Sequence, residues 1–423
     1  MLNEPSAISH QPSTELISNE IKFLVICCKI DPSEDDINFI RSFIAPSENV
    51  LGVQHPTADS QHLTSLAFRH GVLPLVYKTI KELSGEHTSS TLRCPLWESL
   101  LVDLKFAYLQ ITKQNMLKSA ELLKLNKLAK EINIQLLPFK GPALAQIAYK
   151  DISLRQFSDL DILVHRKDFR VLAKKMLERG YEPLYPIETF TGDKVMFEMN
   201  NDCPFYDRRR GLAVEIHWDF FRKLALPSRK FFPWKNTQAI CINGHTFETL
   251  SHETHLLYHS LHGSKHVWER LEWIVDIDRF IRAVLGLDWG KVLKMAKGMG
   301  AQKMFLLGIA LSHKYFQTPL PENILSLCKN ANLEPFITYV EAEFNSDDPA
   351  PEDSLVKWSK VVGLRDNMYY KALTVLEFLF RPGINERRTV ILSDKLFWLY
   401  WPLRPLGMGW RFVFCRLMKL CGK

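Results

Sequence analysis

Leu137-Pro138-Phe139-Lys140-Gly141-Pro142, followed downstream by Arg155-Gln156-Phe157-Ser158-Asp159-Leu160-Asp161-Ile162-Leu163-Val164, is the stretch on which the reading of this chain turns. Ile134–Pro138 reads as a short strand, Gly141–Tyr149 as a helix, Leu160–Val164 as a second strand, and Arg166–Arg179 as a helix stopped by Gly180. Asp159 and Asp161 are two apart, so strand periodicity puts both carboxylates on one face, at the exposed start of a strand that continues apolar. Two carboxylates so close raise one another's pKa. A hard divalent cation, Mg²⁺ or Mn²⁺, relieves that repulsion and also ligates phosphates. The bland reading of an isolated Asp-x-Asp is a solvated loop or cap.

Working outward, Tyr181–Tyr185, Val195–Asn200, Pro204–Arg208 and Leu212–Trp218 read as further strands, and Asn243-Gly244 as the turn of a hairpin between Ala239–Ile242 and Thr246–Leu250. Within Ala213-Val214-Glu215-Ile216-His217-Trp218, Glu215 and His217 share one face with Asp219. If this strand lies beside Asp159–Val164, Glu215 completes a carboxylate triad suited to two-metal nucleotidyl transfer, with Asp219 and Glu198 as alternative third acids. Lys140-Gly141 stands at a strand-to-helix junction, where backbone N–H groups approach phosphate oxygens, and Lys140 and Arg155 would neutralise phosphate charge.

Helical periodicity dominates on both sides of this core. The predicted fold class is therefore α+β and helix-rich: a small mixed-sheet α/β core over 131–250, an N-terminal helical region over 1–130, a helical lid region over 251–345, and a C-terminal helical region over 354–423. Candidate helices after the core include 252–263, 267–285, 333–344 and 388–400, with Asn345–Asp353 as an acidic linker. His252, His255, His259 and His262 fall on one face of a single helix, continuing to His266. They line a polar seam, contact substrate, or hold a transition metal, which would make a His-based metal-dependent hydrolase. No His-Glu-x-x-His motif is present.

The run from Lys140-Gly141 through Arg155-x-x-Ser158-Asp159-Leu160-Asp161-Ile162-Leu163-Val164 and Gly180-Tyr181 to Glu215-Ile216-His217-Trp218 resembles the nucleotidyltransferase superfamily of the DNA polymerase β type. Within it, the chain is similar to the bacterial uncharacterised nucleotidyltransferase family over roughly residues 100–280. The resemblance implies that Asp159, Asp161 and Glu215 are catalytic metal ligands, and that Lys140-Gly141 stands where the superfamily has its phosphate loop. Ser158 and His217 would belong to the substrate site. His262, His266, Trp268, Arg270 and Asp276 also match pattern positions, placing a helical lid over the α/β site. There Trp268 would stack on a base and Arg270 would hold a phosphate; the alternative is an Arg270–Asp276 network with Trp268 and Trp273 in the core. Pro142 replaces the usual loop serine, and the interval from Gly141 to Asp159 is long.

Composition sets the outer bounds. In 423 residues, 46% hydrophobic and 24% charged, the chain can bury a sizeable core, and a formal net charge of +7 permits an anionic substrate without arguing for DNA. Eight cysteines without a CxxC pair read as free thiols in a reducing compartment, the cytoplasm, and no signal peptide or apolar span appears. From Lys395 to Lys423 the segment is basic and aromatic without an acid, fitting core packing or weak peripheral membrane contact. The expected substrate is an NTP whose NMP passes to an acceptor hydroxyl or phosphate on a small molecule, sugar, protein or RNA end. The rival is a degenerate nucleotide-binding scaffold.

Overall fold

The computed structural model describes residues 17–44, 59–85, 94–184, 193–221, 226, 233–346, 351, 354–407 and 409. Helices α1 (Asn19–Cys27), α2 (Glu34–Ile44), α3 (Ser60–Arg69) and α4 (Leu73–Gly85) precede a long helix, α5 (Pro95–Glu131). Its start is fixed by Cys94 at the N-cap and Pro95 in the first turn, where a missing N–H costs nothing. Just beyond its end, Asn133 turns the chain at φ 56°.

A five-stranded mixed sheet follows: β1 (Leu136–Pro138), β2 (Leu160–Val164), β3 (Glu182–Pro183), β4 (Asp202–Asp207) and β5 (Leu212–His217), in the order β1-β2-β5-β4-β3. Only the central pair, β2 with β5, is parallel; the other pairings are antiparallel. A hairpin of β6 (Thr237–Ile242) and β7 (His245–Leu250) turns at Asn243-Gly244, both with positive φ, as a tight primed turn demands. Between the strands lie α6 (Gly141–Leu144), continued by a π-helical turn over Ala145–Tyr149, then α7 (Phe169–Glu178) and α8 (Asp193–Met199). The C-terminal half is helical: α9 (His252–Lys265), α10 (Leu271–Ala283), α11 (Trp289–Gly298), α12 (Gln302–Phe316), α13 (Glu322–Asn330), α14 (Glu334–Phe344), α15 (Leu355–Gly363), α16 (Met368–Phe380) and α17 (Ile384–Thr389). The expected helix-rich α+β architecture is thus present.

The two faces of the sheet bury into different cores. Leu160, Ile162, Val164, Val214 and Ile216 face one formed with Phe169, Leu172, Phe197 and the C-terminal half of α5. Leu137 and Leu163 face the other, which α1–α4, the N-terminal half of α5 and α9–α12 build together. The N-terminal and lid helices therefore share one apolar core, and α5 runs through both. Asp161, Glu215 and His217 lie on the sheet face turned toward the helical lid.

Two expectations change. Val195–Asn200, read as a strand, lies largely in α8: Met196, Phe197 and Met199 pack on the sheet at helical spacing, and a short run of large apolar residues fits either period. The helix expected over 388–400 is broken. After α17, a 3₁₀ turn spans Asp394–Leu399 and a helix spans 400–407. Phe397 and Tyr400 enter the sheet core while Trp398 and Leu406 stay exposed. The rest of the basic aromatic tail, 408 and 410–423, lies outside the described residues. Among the described residues no helix is long and apolar enough to cross a membrane.

Candidate active site

Parallel pairing of β2 with β5 sets Asp161 directly opposite Glu215. His217, two residues on, shares their face, with Nε2 3.1 Å from Asp161 Oδ1 and 3.3 Å from Glu215 Oε2. One ligand atom from each of the three lies within 4.8 Å of the others. The set combines two hard carboxylates with one imidazole and fits a divalent cation in both spacing and chemistry.

Asp161 is only 3% exposed, so the expected exposed acid at a strand start is in fact buried. Lys140 Nζ lies 3.3 Å from the same oxygen, Oδ1, that His217 approaches. Burial alone would neutralise the carboxyl, but the Lys140 ammonium and the His217 hydrogen bond outweigh it and hold Asp161 below the usual carboxylate range. The partners respond in kind. Burial works against the imidazolium of His217, yet hydrogen bonds to Asp161 and Glu215 push its pKa up to about 10. Lys140 is likewise held above its ordinary value despite burial.

Asp159 precedes β2 and stands at the rim of this cluster rather than within it. Burial, with the charges of Asp161 and Glu215, pushes it up to about 6. Such an acid at the edge of a carboxylate pair is what a bound cation would relieve. Ser158 is exposed and donates to Asp159 Oδ2 at 3.2 Å. Gly141 adopts φ +49°, and a Cβ there would meet the Asp159 carbonyl oxygen at 3.3 Å. The missing side chain thus lets the Lys140-Gly141 turn close against the segment carrying the acids.

The loop 150–159 is pinned from two sides. From α5, Asn115 Nδ2 donates to the carbonyls of Ile152 (2.7 Å) and Arg155 (2.8 Å), and Lys118 Nζ donates to that of Phe157 (3.0 Å). From α10, Asp276 takes a bidentate pair from Arg155, Nε to Oδ1 at 2.8 Å and Nη2 to Oδ2 at 2.9 Å, and a bond from the Tyr149 hydroxyl at 2.8 Å. Arg155, expected to neutralise phosphate, therefore has its charge cancelled by a buried carboxylate. It remains in the cleft wall as a structural tie.

These elements enclose a cleft of about 610 Å³. Lys140, Gly141, Arg155, Ser158, Asp159, Asp161 and Glu215 line its α/β side, and His259, His262, His266 and Arg270 its helical side. Arg270 pairs with Glu272 at 3.2 Å. Trp268 is not in the cleft. It is fully buried, its ring fills the space left by Gly263 of α9 and Gly308 of α12, and its Nε1 donates to Ser264 Oγ. Of the two readings of Trp268, its burial matches core packing and not base stacking: at either glycine an added Cβ would sit 2.5–2.6 Å from the indole, while Asp276 pairs with Arg155 and not with Arg270.

Among the described residues, the α9 histidines join no metal-ligand cluster. His255 Nε2 lies 3.0 Å from Thr249 Oγ1, whose hydroxyl donates to the Pro138 carbonyl at 2.5 Å, so this face buttresses the end of β1. Burial holds His255, His259 and His262 neutral, well below the ordinary histidine value. Sequence reasoning missed Lys118 and Asn115. Both sit on α5 among many polar residues, and their inward direction shows only in the register of that helix against the loop.

Adjacent acids on a parallel strand pair thus stand with cations around them beneath a helical wall over a polar cleft. Residues 56–317 match the family described as "uncharacterised nucleotidyltransferase", and the chain belongs to that family. A solved structure, an antigenic nucleotidyltransferase-like protein from Paracoccidioides brasiliensis, is similar at 19% identity over 47% of this chain and 91% of that one, with a TM-score of 0.30. No curated protein matches.

Proposed function

We propose that this protein is a metal-dependent nucleotidyltransferase of the DNA polymerase β type, moving NMP from an NTP to an acceptor hydroxyl or phosphate with release of pyrophosphate. The observation that carries the reading is the cross-strand pair Asp161–Glu215, joined by His217, at the floor of a cleft lined by cations. Asp161 and Glu215 would hold Mg²⁺ or Mn²⁺, with His217 as third ligand and Asp159 at the rim on the substrate side. The bound ion would supply charge neutralisation at the α-phosphate and lower the pKa of the attacking hydroxyl. Lys140 fixes the orientation of Asp161 through their 3.3 Å ion pair. The Lys140-Gly141 turn, closed against Asp159, sets the spacing between the acids and the phosphate side of the cleft.

The acceptor is a small molecule, a sugar, a protein side chain or an RNA end. Incubating the protein with each of the four NTPs and Mg²⁺ or Mn²⁺, and measuring pyrophosphate, tests the reading. A second reading, a nucleotide-binding scaffold without transfer, is favoured by Pro142, which withdraws a backbone donor from the turn, and by the Arg155–Asp276 pair, which removes a cation from the phosphate side. Nucleotide binding without pyrophosphate release across a broad acceptor panel would select it.

A further inference from the structure

The cations lining the cleft are not equivalent. Lys140 is paired with Asp161, Arg155 with Asp276, and Arg270 with Glu272. Lys118 is different. It projects from the middle of α5, is 5% exposed, and lines the same cleft. Its ammonium donates to the Phe157 carbonyl at 3.0 Å and lies 5.6 Å from the centre of the Phe157 ring, and no carboxylate of the described residues is within ion-pair distance. An ammonium carries three donors, and a carbonyl takes one of them. A buried charge without a counter-charge is costly, so an anion that completes it gains more there than at a paired or exposed lysine. Burial indeed depresses the Lys118 pKa, and only the more distant charge of Asp159 opposes it.

We infer that Lys118 is the cleft's principal polyphosphate-binding residue, holding the β and γ phosphates of the nucleotide. The inference rests on the transferase reading for its substrate, but it concerns binding of a chemical class, a condensed phosphate, that can be tested without turnover. Lys118 sits one α-helical turn from Asn115, which staples the same loop through Ile152 and Arg155. The anion site and the Asp159-bearing segment are thus held by one rigid helix, the kind of support that keeps a binding group in register.

The test is calorimetric titration of the full chain with inorganic tripolyphosphate, and separately with ATP and AMP, for wild type, Lys118→Gln and Lys118→Arg. Gln keeps an N–H donor for the Phe157 carbonyl but drops the charge; Arg keeps the charge. The expected result is that Lys118→Gln weakens tripolyphosphate and ATP about tenfold or more and AMP far less, that Lys118→Arg recovers most of the loss, and that melting temperatures stay close. Tripolyphosphate affinity unchanged in Lys118→Gln, or no tripolyphosphate binding by wild type, overturns the inference. Pyrophosphate release by wild type alongside unchanged Lys118→Gln affinity would sink this assignment and leave the transferase reading standing. Lys118-dependent tripolyphosphate binding with no pyrophosphate release from any NTP would do the reverse.

Discussion

Asp161 and Glu215 are cross-strand partners in the parallel pair β2–β5, and His217 bridges them from the same face with Nε2 within 3.3 Å of both. Register alone produces this meeting: a slip of one residue in β5 would turn Glu215 and His217 into the apolar core and bring Val214 and Ile216 to the cleft. Because Asp161 is also clamped by Lys140, it is the point through which the site's charges balance.

Asp161→Asn should therefore remove divalent-cation binding, weakening it by more than about 100-fold, beyond what loss of an outer partner costs. The same change leaves Lys140 and His217 facing a neutral amide in a buried setting, so a measurable loss of stability should accompany it. Mn²⁺ titration followed by electron paramagnetic resonance, with a urea melt of the same sample, measures both. Unchanged Mn²⁺ affinity would take Asp161 out of the metal site.

Asp159→Asn should act differently. Asp159 sits at the rim, so Mn²⁺ affinity should fall by less than in Asp161→Asn, while the pKa near 6 assigned to its carboxyl disappears from a carboxylate NMR titration. An equal or larger loss of Mn²⁺ would move Asp159 into the inner ligand set.

Trp268→Ala is expected to destabilise the protein by about 3–5 kcal/mol, as for other large aromatic truncations in packed cores. The indole fills the slot between Gly263 and Gly308 and reaches Ser264. Nucleotide affinity per folded molecule should hardly change. A selective loss of nucleotide with an intact melting temperature would restore the base-stacking role.

Asp276→Asn should cost about 3–5 kcal/mol, because it leaves the Arg155 guanidinium buried without its counter-charge. Equilibrium denaturation reads this directly. The double variant Arg155→Gln with Asp276→Asn should recover part of the loss; a double variant as unstable as the sum of the singles would show that the two residues act independently.

His70 makes stability fall on mild acidification, against the opposite pulls of His217 and Asp159, whose raised values favour the protonated folded state. His70 is buried, and burial, with the charges of Arg69 and Arg270, pushes its pKa from 6.5 down to about 3. Above the unfolded value both states are neutral and nothing is lost. Below it the unfolded chain takes up a proton that the folded chain refuses, so stability declines from pH 6.5 until the folded value near 3 is passed. His70 alone should contribute about 2 kcal/mol to the difference between urea melts at about pH 7.5 and about pH 5. His255 and His259 shift in the same direction and add to the fall. His70→Gln should remove this share of the acid-side loss, and an unchanged difference would remove His70 as a cause.

Much of this was legible in the sequence, and the boundary between what was and was not is physical. β2 and the acid face of β5 could be read because strand periodicity fixes which side chains share a face, and an apolar continuation marks a buried strand. Their pairing, which brings Glu215 to Asp161, was a conditional until the sheet order was known. What periodicity cannot show is the partner across a tertiary contact. Arg155 looks like a phosphate ligand until Asp276 arrives from α10, far along the chain. Trp268 looks like a stacking platform until Gly263 and Gly308 open a slot for it. Lys118 is one lysine among several on α5 and gains its meaning only from the loop it faces and the carboxylate it lacks.

The most direct test of the central claim is divalent-cation-dependent release of pyrophosphate from an NTP, measured for wild type and Asp161→Asn side by side with the four NTPs and a broad acceptor panel. The account predicts release by wild type with Mg²⁺ or Mn²⁺, abolished by chelation and by Asp161→Asn. Release that persists in Asp161→Asn, or that proceeds equally without a divalent ion, would contradict it.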